Sequence, residues 1–367
     1  MTRRILLVAR GLDAVGTGRE VLQTAQRLCE QGDDVHLALT TRPAHVAHLA
    51  AAAGVTVHRF SQRPQGTAAG IAGLFRTVAR LHPHVVASWG WSTLRATGTA
   101  LALQSRRRRP RWLALLGRPA RPATATNRWV TRHLLTRCDL VLAATQGTLG
   151  TCHALGVPHS QIRHCPPGIA AAPPPQMSRQ EVAERLGLPI TDTWTLCVAP
   201  LVARSRLERL VWAADQLDVV LPGLTHVLIG QGPLGPQLAR RARAQETADR
   251  LRILPHCNII SDLLAQVRLV WQPGEVAYGG ALVDALAAGV PAVAVASDTT
   301  SCLINDTVTG RLVPADPPSE FPRRGLPFLE DEQVFQQFAH ASRTHAREAF
   351  PLDAAWAIQR QAIEDLV

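Results

Sequence analysis

Hydrophobic positions along the chain fall in short unbroken runs separated by amphipathic stretches. The first run, Ile5-Leu6-Leu7-Val8-Ala9, reads as a buried strand, and a loop over 11–18 follows it. Val21, Leu22, Ala25, Leu28 and Cys29 then recur at helical spacing, which predicts one apolar stripe on a helix that Gly32 stops. Further runs at 35–39, 55–57, 84–88, 112–116 and 139–144 continue the alternation. Apolar strands of this kind, alternating with helices, predict a parallel sheet covered on both faces.

The pattern breaks at Cys165-Pro166-Pro167-Gly168 and again at Pro173-Pro174-Pro175, which cannot continue a helix or a central strand. It then restarts with strands predicted at 194–199, 226–230, 251–254, 269–271, 291–295 and 311–313. At the end, Ala355, Ile358, Ala362 and Leu366 fall on one face of a predicted helix. The expectation is an α/β protein of two doubly wound, Rossmann-like halves, over 1–170 and 171–348, with a helix over 349–367. Ligands in such sheets sit at the carboxyl ends of the strands, here in a cleft between the halves.

Length agrees with two domains, since 367 residues at about 150 per domain gives two. A hydrophobic share of 46% is enough for a core in each half and excludes a disordered or disulfide-stapled chain. All 39 basic residues are arginine, against 28 acids, for a net charge of +11. The absence of lysine excludes Schiff-base chemistry and a P-loop. Seven cysteines are scattered without a Cys-x-x-Cys pair, which fits a reducing, cytoplasmic setting. The run at 5–9 is too short for a signal-peptide core. The longest apolar candidate, 281–296, is interrupted by Asp284 and Pro291, so no span is expected.

Three stretches carry candidate chemistry. Gly16-Thr17-Gly18 precedes the first helix, but Val21 and Thr40-Thr41-Arg42 do not complete a dinucleotide fingerprint. The turn still offers backbone N–H groups to an anion or a sugar hydroxyl, or is simply a tight strand-to-helix turn. Gly230-Gln231-Gly232-Pro233-Leu234 follows a predicted strand and leads into a helix ending near Arg243, and its glycines permit close backbone approach to a ligand. Between Pro273 and Pro291, Tyr278-Gly279-Gly280 opens a small-residue helix that Gly289 ends, with Asp284 expected mid-helix. A helix start there suits a diphosphate, and Asp284 could accept hydrogen bonds from a ribose.

These stretches resemble the family 4 glycosyltransferases, retaining enzymes of the GT-B fold that use nucleotide-sugar donors. Residues 230–234 resemble the family's Gly-x-Gly-Pro-Leu turn, and 278–291 its Glu-Gly-Phe-Gly…Leu-Glu-Ala-x-Ala-x-Gly-x-Pro signature. Residues 309–314 resemble the Thr-Gly-x-Leu-Val that follows. In the first half, 16–20 resembles the Gly-Gly-x-Glu loop, and 156–158 with 166–169 the interdomain approach. The chain also departs from the family. Asp284 stands for the second of two glutamates eight positions apart; Val276 fills the first place, with Glu275 one residue early. Pro200 and Ser205 stand for the arginine and lysine that hold the donor diphosphate, and Leu116 for a histidine that contacts the sugar.

The resemblance therefore implies transfer of a sugar, with retention, from a nucleotide-diphosphate donor to a glycan or lipid-linked acceptor, without a metal. Gly230, Gly232, Pro233, Leu234, Tyr278, Gly279, Gly280 and Asp284 would bind the donor. Glu275 would replace the first glutamate, and Arg204 or Arg206 would neutralise the leaving diphosphate, with Arg19 and Arg118 as further cations. The alternative is a catalytically silent GT-B protein that binds a nucleotide, glycan or partner. The run from Arg106 to Arg111 suits acidic headgroups at the inner membrane face, or is a solvated loop. Nucleic acid is not expected, because the tryptophans do not interleave with the arginines. Cys152-His153, His159 and His164-Cys165 do not match structural zinc spacings.

Overall fold

The structure, a computed structural model, describes residues 2–12, 15–40, 47–60, 68–105, 109–120 and 124–367. Thr41, Arg42 and the arginines at 106–108 lie outside the described residues. The chain forms two units, Met1–Gly168 with Leu352–Val367, and Ile169–Pro351.

In the first unit the strands are β1 (Arg4–Ala9), β2 (Asp34–Leu39), β3 (Thr56–Arg59), β4 (Val85–Trp89), β5 (Arg111–Leu116), β6 (Leu140–Ala143) and β7 (Ile162–His164). Between them run α1 (Thr17–Glu30), α2 (Ala47–Ala52), α3 (Ala68–Leu81), α4 (Trp91–Ala102), α5 (Ala125–Leu135) and α6 (Gln146–Ala154). The sheet is parallel, with strand order β3-β2-β1-β4-β5-β6-β7, so the winding reverses between β1 and β4. Every residue of β1 after Arg4 is buried, as is required of a central strand packed on both faces. Asp139 lies just before β6, not in it; its carboxylate accepts the Trp112 N–H (2.7 Å) and pairs with Arg111 (2.9 Å).

The second unit repeats the plan with α7 (Arg179–Leu186), β8 (Thr193–Val198), α8 (Glu208–Val220), β9 (Leu224–Ile229), α9 (Gly235–Ala244), β10 (Leu251–Leu254) and α10 (Ile260–Leu264). It continues through β11 (Leu269–Gln272), α11 (Leu282–Ala288), β12 (Ala292–Val295), α12 (Asp298–Leu303), β13 (Gly310–Val313), α13 (Glu320–Glu330) and α14 (Glu332–Ala349). Its parallel sheet runs β10-β9-β8-β11-β12-β13. Strand periodicity divides the side chains between two cores. Trp194, Leu196, Val270, Ala292 and Ala294 face one, while Cys197, Leu269, Trp271, Val293 and Val295 face the other. Burial of each leucine or valine among them contributes about 1.5–3 kcal/mol. The two parallel Rossmann-like sheets with flanking helices are the GT-B architecture the sequence predicts.

The last helix, α15 (Leu352–Glu364), packs on the first unit. Its buried face is Ala355, Gln359, Ala362 and Ile363; Ile358 is half-buried and Leu366 lies beyond the helix end. The apolar spacing that predicted Ile358 and Leu366 loses to a polar contact. Gln359 is buried because its Oε1 accepts the Thr24 hydroxyl of α1 (2.7 Å). Arg27 reaches Asp353 (2.8 Å), and Gly168 leaves room for α15, since a Cβ there would lie 2.8 Å from Leu352 Cδ1.

Candidate active site

Three loops of the second unit leave the carboxyl ends of β8, β9 and β11 and are locked to one another. The Leu201 N–H donates to the Gln231 carbonyl (2.9 Å), and the Leu234 N–H donates to the Leu201 carbonyl (3.1 Å). A Cβ on Gly230 would lie 1.9 Å from the Ala199 carbonyl oxygen, and one on Gly232 would lie 2.3 Å from that of Leu201. Those obstacles are backbone and cannot swing aside, so packing of loop on loop fixes the Gly-x-Gly spacing. Pro233 is exposed, and Leu234 is the N-cap of α9.

The third loop docks in the same way. A Cβ on Gly274 would stand 2.4 Å from the Arg204 carbonyl oxygen, and the buried Gln272 amide donates to the Gly274 carbonyl (2.8 Å). The loop carrying Arg204 and the loop carrying Glu275 are therefore held backbone to backbone, with the Gly230 turn against the first. Glu275 is half-buried and its Oε1 is buried.

Beyond Glu275 the backbone turns left-handed at three successive residues, Tyr278 (φ +50), Gly279 (φ +73) and Gly280 (φ +52). Tyrosine in this region is strained, a condition that clusters at functional sites. The Gly280 N–H closes the turn on the Ala277 carbonyl (3.2 Å). These angles cannot belong to a right-handed helix, so α11 begins at Leu282, not at the glycine pair. The expectation that Asp284 lies mid-helix is thereby corrected: it stands in the first turn, where a carboxylate also favours the helix dipole. Gly289 (φ +74) ends α11 as expected.

Arg204 is exposed in a one-turn 3-10 helix, Ala203–Ser205. Arg206 caps that turn at φ +50, with its Nη1 3.8 Å from Glu208 Oε1 on α8. Ser205, in the lysine place, is only 2% exposed and donates its hydroxyl to the Pro200 carbonyl (2.6 Å). Val276, in the place of the first glutamate, is buried, and its side chain packs against Gly280. Leu116 is buried at the end of β5 in the first unit.

In the first unit, Gly16 caps α1 with φ +57 and ψ −131, a conformation that requires glycine. Thr17 and Gly18 open the helix itself, and the Glu20 N–H donates to the Gly16 carbonyl (3.1 Å). Arg19 is buried, with Nη2 3.4 Å from Glu20 Oε1, whereas Arg118 is half-buried. Around the Cys-His pairs, Cys152 is buried and burial pushes its thiol up to about 12, while the His153 and His159 rings lie tilted with centroids 3.8 Å apart. Among the described residues no group of three or more His, Cys, Asp or Glu side chains is placed to hold a metal ion.

Comparison with known proteins places this geometry in a family. The model for Glycosyltransferase Family 4 matches residues 15–172, and that for Glycosyl transferases group 1 matches residues 193–331. The chain belongs to the family 4, group 1 glycosyltransferases of the GT-B fold. No curated protein sequence gives a significant match. Among solved structures, Anabaena HepE in complex with UDP and glucose is similar over 99% of both chains at 18% identity, with a TM-score of 0.81. Sucrose-phosphate synthase from Thermosynechococcus elongatus is 17% identical over 99% of both chains, with a TM-score of 0.77. WaaG, a glycosyltransferase involved in lipopolysaccharide biosynthesis, is 14% identical over 96% of this chain and 98% of its own, with a TM-score of 0.74.

The structure brings together the Gly230–Leu234 turn, the Arg204 loop and the Glu275 loop. Two participants had no role in the sequence reading. Gly274 docks the Glu275 loop, and Gln272 fixes it; the Pro273-Gly274 dipeptide is a turn signal at a strand end that could have marked both.

Proposed function

We propose that this chain transfers a sugar, with retention, from a nucleotide-diphosphate donor bound by the second unit. The observation that carries the reading is the locked convergence of three loops at the carboxyl ends of β8, β9 and β11, at three positions where any side chain would clash with backbone. That is where α/β sheets bind ligands, on either side of the point where the strand order reverses. Asp284 accepts hydrogen bonds from the ribose, and the backbone of Gly279 and Gly280 contacts the diphosphate or the sugar. Arg204 and Arg206 neutralise the leaving diphosphate, and Glu275 takes the place of the first glutamate. Removing one donor that stabilises developing charge commonly costs about 2.7–4 kcal/mol, so two arginines at this loop are the chemistry that replaces the missing arginine and lysine. No metal is invoked. The acceptor is a glycan or a lipid-linked molecule handled by the first unit; the family resemblance supports that part and the retention of configuration. The fold shared with the UDP- and glucose-bound HepE structure supports the donor class.

A second reading, a silent GT-B protein that binds without turnover, is favoured by Ser205, whose hydroxyl is turned inward to Pro200, and by the buried Val276. A transfer assay separates the two. Incubation with labelled nucleotide sugars and a panel of glycan and lipid-linked acceptors, with the product anomer read by NMR, gives a retained anomer under the first reading. Nucleotide binding without product or donor hydrolysis supports the second.

A further inference from the structure

Residues 35–138 contain sixteen arginines and not one aspartate or glutamate. Chance dispersal of 28 acids over 367 residues would not leave 104 consecutive positions empty of them, and the fold places three helices of this stretch on one side of the first sheet. There α3, α4 and α5 lie side by side. Gln104 after α4 donates to the Phe75 carbonyl of α3 (3.0 Å), Arg95 of α4 reaches Thr131 of α5 (3.4 Å), and a Cβ on Gly98 would lie 2.5 Å from Leu134 Cδ2. The outer face of this layer carries exposed Arg76, Arg80, Arg95, Arg128, Arg132 and Arg137. Two large apolar groups stand among them in the open: Trp129, 65% exposed, and Leu103, 64% exposed. Trp129 is stacked on His133 at 5.6 Å and so presents a rigid indole.

We infer that the α3–α4–α5 face docks on a bilayer surface bearing acidic lipid headgroups. Arginines near such a surface are attracted cumulatively, while an exposed tryptophan flanked by cations inserts at headgroup level. An exposed tryptophan on a cationic face can also stack on nucleic-acid bases; the aliphatic Leu103, which offers no stacking surface, favours the bilayer, and the nucleic-acid arm of the test separates the two. This inference does not rest on the glycosyl-transfer reading, and it is built on described residues, without the arginines at 106–108.

The test compares two triple variants of equal charge loss, Arg128→Gln/Arg132→Gln/Arg137→Gln on α5 and Arg240→Gln/Arg241→Gln/Arg243→Gln on α9 of the second unit. Partitioning onto phosphatidylcholine vesicles doped with phosphatidylglycerol is measured by co-sedimentation. The full chain binds the doped vesicles and not pure phosphatidylcholine. Binding is lost as salt rises from about 0.1 M to about 1 M and the screening length falls from about 10 Å to about 3 Å. At about fivefold per arginine, the α5 triple loses about a hundredfold, whereas the α9 triple is nearly unchanged. Trp129→Ala, which leaves the charge intact, also weakens binding. Equal losses from the two triples would overturn the inference, because net charge alone would then explain adhesion. Binding of RNA or DNA abolished by the α5 triple, with no vesicle binding, would also overturn it.

Discussion

Gly274 and Arg204 meet backbone to backbone: a Cβ on residue 274 would lie only 2.4 Å from the carbonyl oxygen of Arg204. This contact sets the distance between the loop of the candidate cation and the loop of the candidate carboxylate. Gly274→Ala is therefore expected to do more than overpack. It should lower stability by about 1–3 kcal/mol, seen as a fall of several degrees in thermal midpoint, and weaken nucleotide-diphosphate affinity about tenfold, or about 1.4 kcal/mol. Loss of stability with unchanged affinity would separate this loop from the donor site.

The two arginines can be told apart by backbone. Arg206 sits at φ +50, where a side chain costs about 1–2 kcal/mol and glycine does not. Arg206→Gly should thus be more stable than Arg206→Ala by about 1 kcal/mol, as read by urea unfolding. Both should weaken nucleotide-diphosphate binding alike, because both remove the guanidinium. Arg204→Ala/Arg206→Ala together should weaken it further. Full affinity in the double variant would remove these residues from the diphosphate.

Acid should destabilise the second unit through His226. This ring lies on β9, 1% exposed, with Nδ1 2.7 Å from the Thr195 hydroxyl, and among the described residues its Nε2 has no hydrogen-bond partner. Burial, reinforced by the Arg250 charge, lowers its pKa to about 4. The unfolded chain takes up this proton near pH 6.5 and the folded chain resists it, so the folded state binds fewer protons. Stability is then whole above about pH 6.5 and falls by about 3 kcal/mol as pH drops towards 4. His36 and His58, also lowered chiefly by burial, act in the same direction. In His226→Gln the unfolding free energy should depend less steeply on pH across this window; an unaltered slope would contradict the assignment.

Most of the fold was legible because a buried parallel strand is an unbroken apolar run, and all thirteen strands among the described residues lie within two residues of such runs or of the turn into the linker. Legibility failed where one polar contact or one backbone angle outweighed the pattern. Gln359 took a buried place on α15 through Thr24, and the left-handed pair at Gly279 and Gly280 moved the start of α11 past where its composition put it. At the site, the glycines of 230–234 were readable as turns, but the atoms they admit belong to Ala199 and Leu201, far away in sequence. The inward turn of Ser205 follows from loop packing and has no local signal.

The central claim is that the second unit binds a nucleotide-diphosphate donor and that Asp284 holds its ribose. The most direct measurement is calorimetric titration of the full chain with UDP, GDP, ADP and their common sugars, repeated with Asp284→Ala and Asp284→Asn. Saturable binding of one nucleotide diphosphate, lost in both variants while their thermal midpoints stay close to the parent's, is the predicted result. No binding across the panel, or binding untouched by either substitution, would contradict the account.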